Sequence, residues 1–266
     1  VARSTQGEET PAISENGEIA FRSNRGGGVN LWVCPAECVT PRQLTFSNER
    51  FVEMTPRWSP DGARIAFTSR LNGKPSIWTV DVTGKNLRTI STDFDEGSPA
   101  WSADGRYIYF RSDRSGRSEI WRVASEGGTA ERITSNGGVE VFESSDGRFL
   151  YFTRTADAGT IIRRDLGTGA ESAVEGIPGQ RLHRWVLAGE EIGYYDPETD
   201  HSESIKSFNL RTRRITVKVR GGITSPLGLG ANSRGAVVYA SRTSREADIL
   251  GVAFRPQPLW RSLTGR

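Results

Sequence analysis

Three stretches of this chain, WSPDGARIAF at Trp58–Phe67, WSADGRYIYF at Trp101–Phe110 and ESSDGRFLYF at Glu143–Phe152, are near copies of one another. A fixed repeat constrains the fold more than any local motif, because every copy must become the same supersecondary unit. Anchored on the turn glycine, the series extends to Gly17, Gly62, Gly105, Gly147, Gly189 and Gly235, at intervals of 45, 43, 42, 42 and 46 residues. A short β-type run follows each anchor, such as IAF at Ile65 or IYF at Ile108. A polar, Gly- and Ser-rich break comes next, then a second run such as IWTV at Ile77 or IWRV at Ile120. Runs such as LRTI at Leu87 and ERIT at Glu131 close most units, and the residues before the turn, PRWS and PAWS, supply one strand more.

Four short strands per unit and six units predict an all-β chain folded as a six-bladed β-propeller, with four antiparallel strands per blade. No long window carries the i, i+3, i+4, i+7 apolar spacing of a helix. One unit cannot cover both faces of its small sheet, whereas six packed radially cover one another. The expected blades are residues 11–46, 56–91, 99–135, 141–174, 183–217 and 226–264, in one domain over 1–266. Among the 7 tryptophans, Trp32, Trp78 and Trp121 share a third-strand position, and Trp58, Trp101 and Trp185 a first-strand position. Aromatics recurring at the repeat period read as packing between blades. In SPDG, Pro60 presets φ, the Asp61 side chain can bond the backbone beyond it, and Gly62 accepts positive φ, so the string is a hairpin. The calcium loop D-x-[DN]-x-[DN]-G is absent.

The repeat P-x-W-S-P-D-G-x-x-I-A-F-x-S, followed by I-W-x-V/D and R-x-I/L-T, resembles that of TolB-type β-propellers. The likeness is strongest at Pro56–Ser91 and Pro99–Ser135 and weakest in the last two blades, where LAGEEIGYY and ANSRGAVVY lack the Asp-Gly turn. The later segments also resemble the C-terminal sensor propellers of bacterial winged-helix regulators and of some kinases. The resemblance implies fold rather than chemistry, since this repeat serves as scaffold, sensor and enzyme accessory. No winged-helix or kinase signature occurs, so any such domain is expected outside these residues.

The chain opens VARSTQGEET, with neither Met nor an apolar signal core, which reads as a mature form or a piece of something longer. The N-terminal ARSTQGEETPAIS lines up with RTISTDFDEGSPAWS from Arg88, so Val1–Thr5 is expected to close the ring as the outer strand of the last blade. The alternative outer strand is WRSLT at Trp260–Thr264. Both cysteines, Cys34 and Cys38, fall at the ends of the third-to-fourth-strand hairpin of blade one, close enough for a disulfide. That bridge implies a periplasmic or extracellular location; two free thiols or a redox pair, and hence a cytoplasmic protein, are the alternatives.

Lys and Arg total 35 against 32 Asp and Glu, with the signs interspersed. No basic block marks a nucleic-acid face, and no apolar run approaches the roughly 18 residues of a membrane span. GxSxG, HExxH, Walker and strand-following GxGxxG motifs are all missing. No cofactor or metal is expected. Recognition is expected on the variable loops joining fourth to first and second to third strands. The candidate binding residues are Arg70, Glu96, Arg114, Glu140, His183 and Arg184, for a protein, peptide or small anionic ligand. The recurring Arg of SNR, TSR and SDR equally reads as a brace between loops. An enzyme is the competing class, a metal-dependent hydrolase or lyase with Glu53, Glu96 and Glu140 converging on the axis.

Overall fold

The computed structural model describes residues 2–4, 8–47, 55–70, 72–156, 159–177, 185–197, 203–221, 228–242 and 247–253. Six four-stranded antiparallel sheets make six blades. Blade one holds β2 (Glu8–Ile13), β3 (Ile19–Ser23), β4 (Asn30–Cys34) and β5 (Arg42–Gln43); blade two holds β6 (Arg57–Trp58), β7 (Arg64–Ser69), β8 (Ser76–Asp81) and β9 (Arg88–Ser91). Blade three holds β10 (Glu96–Trp101), β11 (Tyr107–Ser112), β12 (Glu119–Ala124) and β13 (Glu131–Arg132); blade four holds β14 (Val141–Glu143), β15 (Phe149–Thr153), β16 (Ile161–Asp165) and β17 (Glu171–Ala173). Blade five holds β18 (Trp185–Ala188), β19 (Glu191–Pro197), β20 (Glu203–Asn209) and β21 (Ile215–Arg220). Blade six combines β22 (Leu229–Ala231), β23 (Ala236–Arg242) and β24 (Ala247–Ala253) with β1 (Ala2–Ser4) from the other end of the chain.

The pairing of β1 with β24 runs Ala2↔Ile249, Arg3↔Asp248, Ser4↔Ala247 and closes the ring. The alternative outer strand at Trp260 lies outside the described residues. Blade one begins at Glu8 rather than residue 11, and blade five extends to Arg220 rather than 217.

The SxDG turns show why the repeat is written as it is. Ser59 Oγ donates to Asp61 Oδ1 and accepts from the Arg64 amide, while the Ala63 amide donates to Asp61. Ser102, Asp104 and the amides of Arg106 and Tyr107 repeat the arrangement, as do Ser144, Asp146 and the amides of Arg148 and Phe149. Gly62, Gly105 and Gly147 hold φ of 71, 72 and 69°, which a side chain would strain. These donors, the backbone amide first, pull the Asp104 carboxyl down to about 2. The closing R-x-I/L-T has its own purpose. The hydroxyls of Thr45 and Thr134 accept from the amides of Leu31 and Ile120, fastening third strand to fourth beside two-residue ladders.

The core is divided among the blade interfaces. Successive side chains of a strand point to opposite faces, and both faces of each second strand are buried. Ile65 and Phe67 pack against Leu31, Val33 and Leu44 of blade one, whereas Ala66 packs against Ile108, Phe110 and Val123 of blade three. Leu150 and Phe152 join Tyr109 and Ile120 of blade three, and Tyr151 turns to Trp185 and Ile192 of blade five. Val237 and Tyr239 meet Val186 and Ile205 of blade five. Val238 crosses the closure seam to Ile19, Phe21 and both cysteines. The third-strand tryptophans Trp32, Trp78 and Trp121 stand opposite Phe21, Phe67 and Phe110 in one shared register.

Cys34 and Cys38 form a disulfide with Cα atoms 4.9 Å apart. They are 2 % and 6 % exposed, and they pack with Ile249, the residue paired with β1. The bridge closes a very short loop, so its expected contribution is about 2 kcal/mol. Urea unfolding of Cys34→Ser/Cys38→Ser should show that loss, and the unreduced protein should titrate no thiol. An unchanged midpoint would make the bridge dispensable to the seam.

The turn aspartates set a pH window. Asp104 titrates near 2 in the fold against an ordinary 3.8, so it stabilises the fold above about 4, and that gain is lost as pH falls toward 2. Asp61 and Asp146 are lowered too, chiefly by their serine hydroxyls. Asp104→Asn, which keeps an acceptor oxygen, should flatten the fall in urea midpoint between pH 4 and 2. An equally steep fall would place the acid sensitivity elsewhere.

Candidate functional site

Glu96 and Glu140, two of the three carboxylates proposed from sequence to converge on the axis, bind different partners. Glu96, wholly buried at the start of β10, takes the guanidinium of Arg114 and the hydroxyl of Ser91, the latter at 2.8 Å. Arg114 also donates to Ser112 Oγ at 3.1 Å and lies over Trp121, 4.9 Å from the ring centroid. Burial raises the Glu96 carboxyl, and Ser91 and Arg114 offset part of that rise. Arg25 repeats the arrangement over Trp32, with Nε on Ser23 Oγ at 3.2 Å. Arg154 binds Glu171 at 2.6 Å and the Asn136 carbonyl at 3.0 Å. Arg70 is exposed. Glu140 instead pairs with Arg57 at 3.2 Å. His183, Arg184 and Glu53 lie outside the described residues.

A cavity of about 380 Å³ occupies the axis and opens on the face of the first-to-second-strand hairpins. That is the face with the more uniform sequence, opposite the variable loops. Ring-equivalent residues line it: Ile13, Trp58, Trp101, Glu143, Leu187 and Ala231. Each pairs with an aliphatic residue near the start of its second strand, namely Ile19, Ile65, Ile108, Leu150, Ile192 and Val237. This register corrects the grouping of Trp185 with Trp58 and Trp101. Blade five has a tighter hairpin, Ala188 pairing directly with Glu191, so Leu187 takes the mouth position. Trp185 sits two residues earlier, 1 % exposed, edge-on to Phe142 with centroids 4.9 Å apart.

Two mouth tryptophans tie neighbouring blades together. Trp58 Nε1 donates to the Ala12 carbonyl at 3.3 Å, and Trp101 Nε1 to the Arg57 carbonyl at 3.0 Å. Blade four places Glu143 in this position. Its Oε1 accepts from the Ala103 amide at 3.0 Å, and its carboxylate bonds the buried Tyr109 phenol. Burial first, and Glu143 second, drive the Tyr109 hydroxyl far above its ordinary value. Inside the channel the Arg57 guanidinium lies over Phe142, 5.2 Å from the centroid. Glu15 and Arg234 face each other at the rim at 3.6 Å. Among the described residues no group of three or more His, Cys, Asp or Glu is arranged to hold a metal ion.

Arg57 and Glu143 escaped the sequence reading, which looked to the variable loops. The available signal was the opening letter of ESSDG, a carboxylate where its sister copies carry tryptophan.

Residues 1–176 match the family model of the TolB β-propeller domain. The chain belongs to that family. A TolB homologue of Chlorobium chlorochromatii is 39 % identical over 72 residues, covering 27 % of this chain and 16 % of that protein. The Tol-Pal system protein TolB of Desulfosudis oleivorans is 31 % identical over 74 residues, 28 % of this chain and 16 % of its own. The matched segment thus spans about a sixth of the length of these curated relatives. The crystal structure of TolB from Acinetobacter baumannii superposes with a TM-score of 0.65 at 21 % identity, over 80 % of this chain and 54 % of that one. This last likeness shows the fold. The disulfide accords with a periplasmic or extracellular location.

The Glu96–Arg114 geometry makes a direct prediction. Arg114→Ala leaves a buried carboxylate without its cation, a loss of about 3 kcal/mol by analogy with other broken buried pairs. Thermal and urea unfolding should show it. An unchanged midpoint would mean that Arg114 is a loop residue available to a partner.

Proposed function

We propose that this propeller is a non-catalytic protein-binding domain of an exported bacterial protein, and that it takes an extended segment of a partner protein at the hairpin-face mouth of its channel. Family membership supports a binding module. One relative is named as a protein of the Tol-Pal system, which suggests partners within an assembly of that kind. The disulfide supports export.

The observation that carries the choice of face is the cavity itself. Every blade contributes wall, the hairpins that shape it are stiffened by their own hydrogen bonds, and its lining combines apolar side chains with Glu15, Arg57, Glu143 and Arg234. Concave, preformed and partly apolar sites are where proteins take ligands. On the opposite face the described Arg25, Arg114 and Arg154 already serve internal contacts.

A photo-crosslinking residue at Ser145 or Ser233, both exposed at the mouth, should join the protein to a partner identifiable by mass spectrometry in the producing cell. The same residue at Asn72 or Ser115, on the loop face, should not. Products from the loop positions alone would move the binding surface to the other end of the channel.

A further inference from the structure

We propose that blade four carries a carboxylate-binding cleft on its side toward blade five, built on Arg163 and taking a carboxylate with an apolar body. Three side chains stand next to one another across its strands: Tyr151 on β15 pairs with Arg163 on β16, and Arg163 pairs with Ser172 on β17. Directly opposed residues of an antiparallel sheet place their side chains on one face, close enough to share a ligand. Tyr151 marks that face as the one turned to Trp185 and Ile192 of blade five. A cleft of about 180 Å³ opens there, lined by all three residues and by Phe208, Leu210 and Arg213 of blade five. It shares no lining residue with the channel mouth.

The repeat shows what such a row is built to hold. Blade three has the same row one unit earlier, formed by Tyr109, Arg122 and Glu131. There Arg122 Nε donates to Glu131 Oε2 at 2.9 Å, its Nη2 lies 2.8 Å from the same oxygen, and Tyr109 shares the guanidinium. In blade four a serine stands where Glu131 stands. The neighbouring acid, Glu171, is paired across from Arg164, so its side chain goes to the other face and binds Arg164 at 2.8 Å and Arg154 at 2.6 Å. Arg163 is left with a ring contact, its guanidinium over Phe149 at 4.9 Å, and among the described residues it has no ion pair or hydrogen bond. The ring supports the guanidinium while its planar fork of N–H groups stays available to an acceptor. A carboxylate from outside the chain can take on Arg163 the position that Glu131 takes on Arg122.

The other charges near the cleft have partners of their own. Arg213 donates to the Glu175 carbonyl at 3.1 Å and to its carboxylate at 3.4 Å. Asp146, close enough to act on the Tyr151 phenol, takes the Ser144 hydroxyl and the Arg148 amide. Burial holds the Tyr151 phenol above its ordinary value, so it stays protonated, and its hydroxyl has no hydrogen-bond partner among the described residues. Tyr151 and Ser172 thus add hydroxyl donors on either side of the guanidinium. Phe208, Leu210 and Val174 supply an apolar wall, which a bare inorganic ion would leave unused. The volume admits one side chain or a small organic acid, not a folded element.

The test titrates the isotopically labelled whole chain with phenylacetate and with phenylacetamide, its neutral isostere, following the side-chain resonances of Arg163 and Tyr151. Phenylacetate should shift both saturably and bind about tenfold more tightly than the amide, because an ionised acceptor strengthens the bond to a guanidinium. Ser172→Glu, which restores the row of blade three, should abolish that binding without lowering the melting temperature. Arg163→Gln should bind acid and amide alike; if it does not fold, Ser172→Glu remains decisive. End-blocked Ala-Phe-Glu-Phe-Ala and its Gln counterpart separate the sources of the carboxylate. Tighter binding of the Glu peptide than of phenylacetate would support the site and assign it to an acidic side chain of a partner, and weaker binding would support it and assign it to a free organic acid. Equal binding of phenylacetate and phenylacetamide, no saturable shift with any probe, or undiminished binding to Ser172→Glu would overturn it.

Discussion

Two-sided burial of the second strands is the constraint on which everything else depends. A strand such as RIAFTS has no solvent face: Ile65 and Phe67 serve one interface and Ala66 the other, all fully buried. The same division recurs in every blade and produces a separate apolar cluster at each junction. Since no blade holds a core of its own, each depends on its neighbours, and the ring must be closed for the first and last to be covered. The β1–β24 pairing and the disulfide beneath it meet at that seam.

Packing at the junctions also determines what the axis can offer. First strands are held at a common distance from the centre, so a single position in each repeat becomes a ring round the mouth. Drift at that position runs from tryptophan to Glu143, Leu187 and Ala231. It converts a symmetric scaffold into a cavity with distinct sides. The loops at the opposite end follow another economy, in which arginines stacked on third-strand tryptophans reach back to buried polar groups. Glu96 beneath Arg114 is the clearest instance.

The fold was legible because its signals repeat. A turn such as WSPDG is read with confidence when it recurs at a near-constant interval, and the β-type runs between turns leave few other architectures. The pairing register was less legible. Trp185 aligns with Trp101 on the glycine anchor, yet the hairpin of blade five is shorter, and only the ladder shows that Leu187 occupies the mouth. The cavity was hidden for a different reason: loop variability drew attention to one face, while the chemistry lay in substitutions within the repeat itself. Arg57 in PRWS and Glu143 in ESSDG are unremarkable as letters and acquire meaning only when blades two and four face each other across the channel.

Native-state hydrogen exchange followed residue by residue tests this account most directly. If the blades are interdependent, the second-strand amides of Phe67, Tyr109, Phe152, Ile192 and Val238 will all exchange with one common free energy, equal to that of global unfolding. Stepwise exchange, with some blades opening well below the global value while others stay protected, would contradict it.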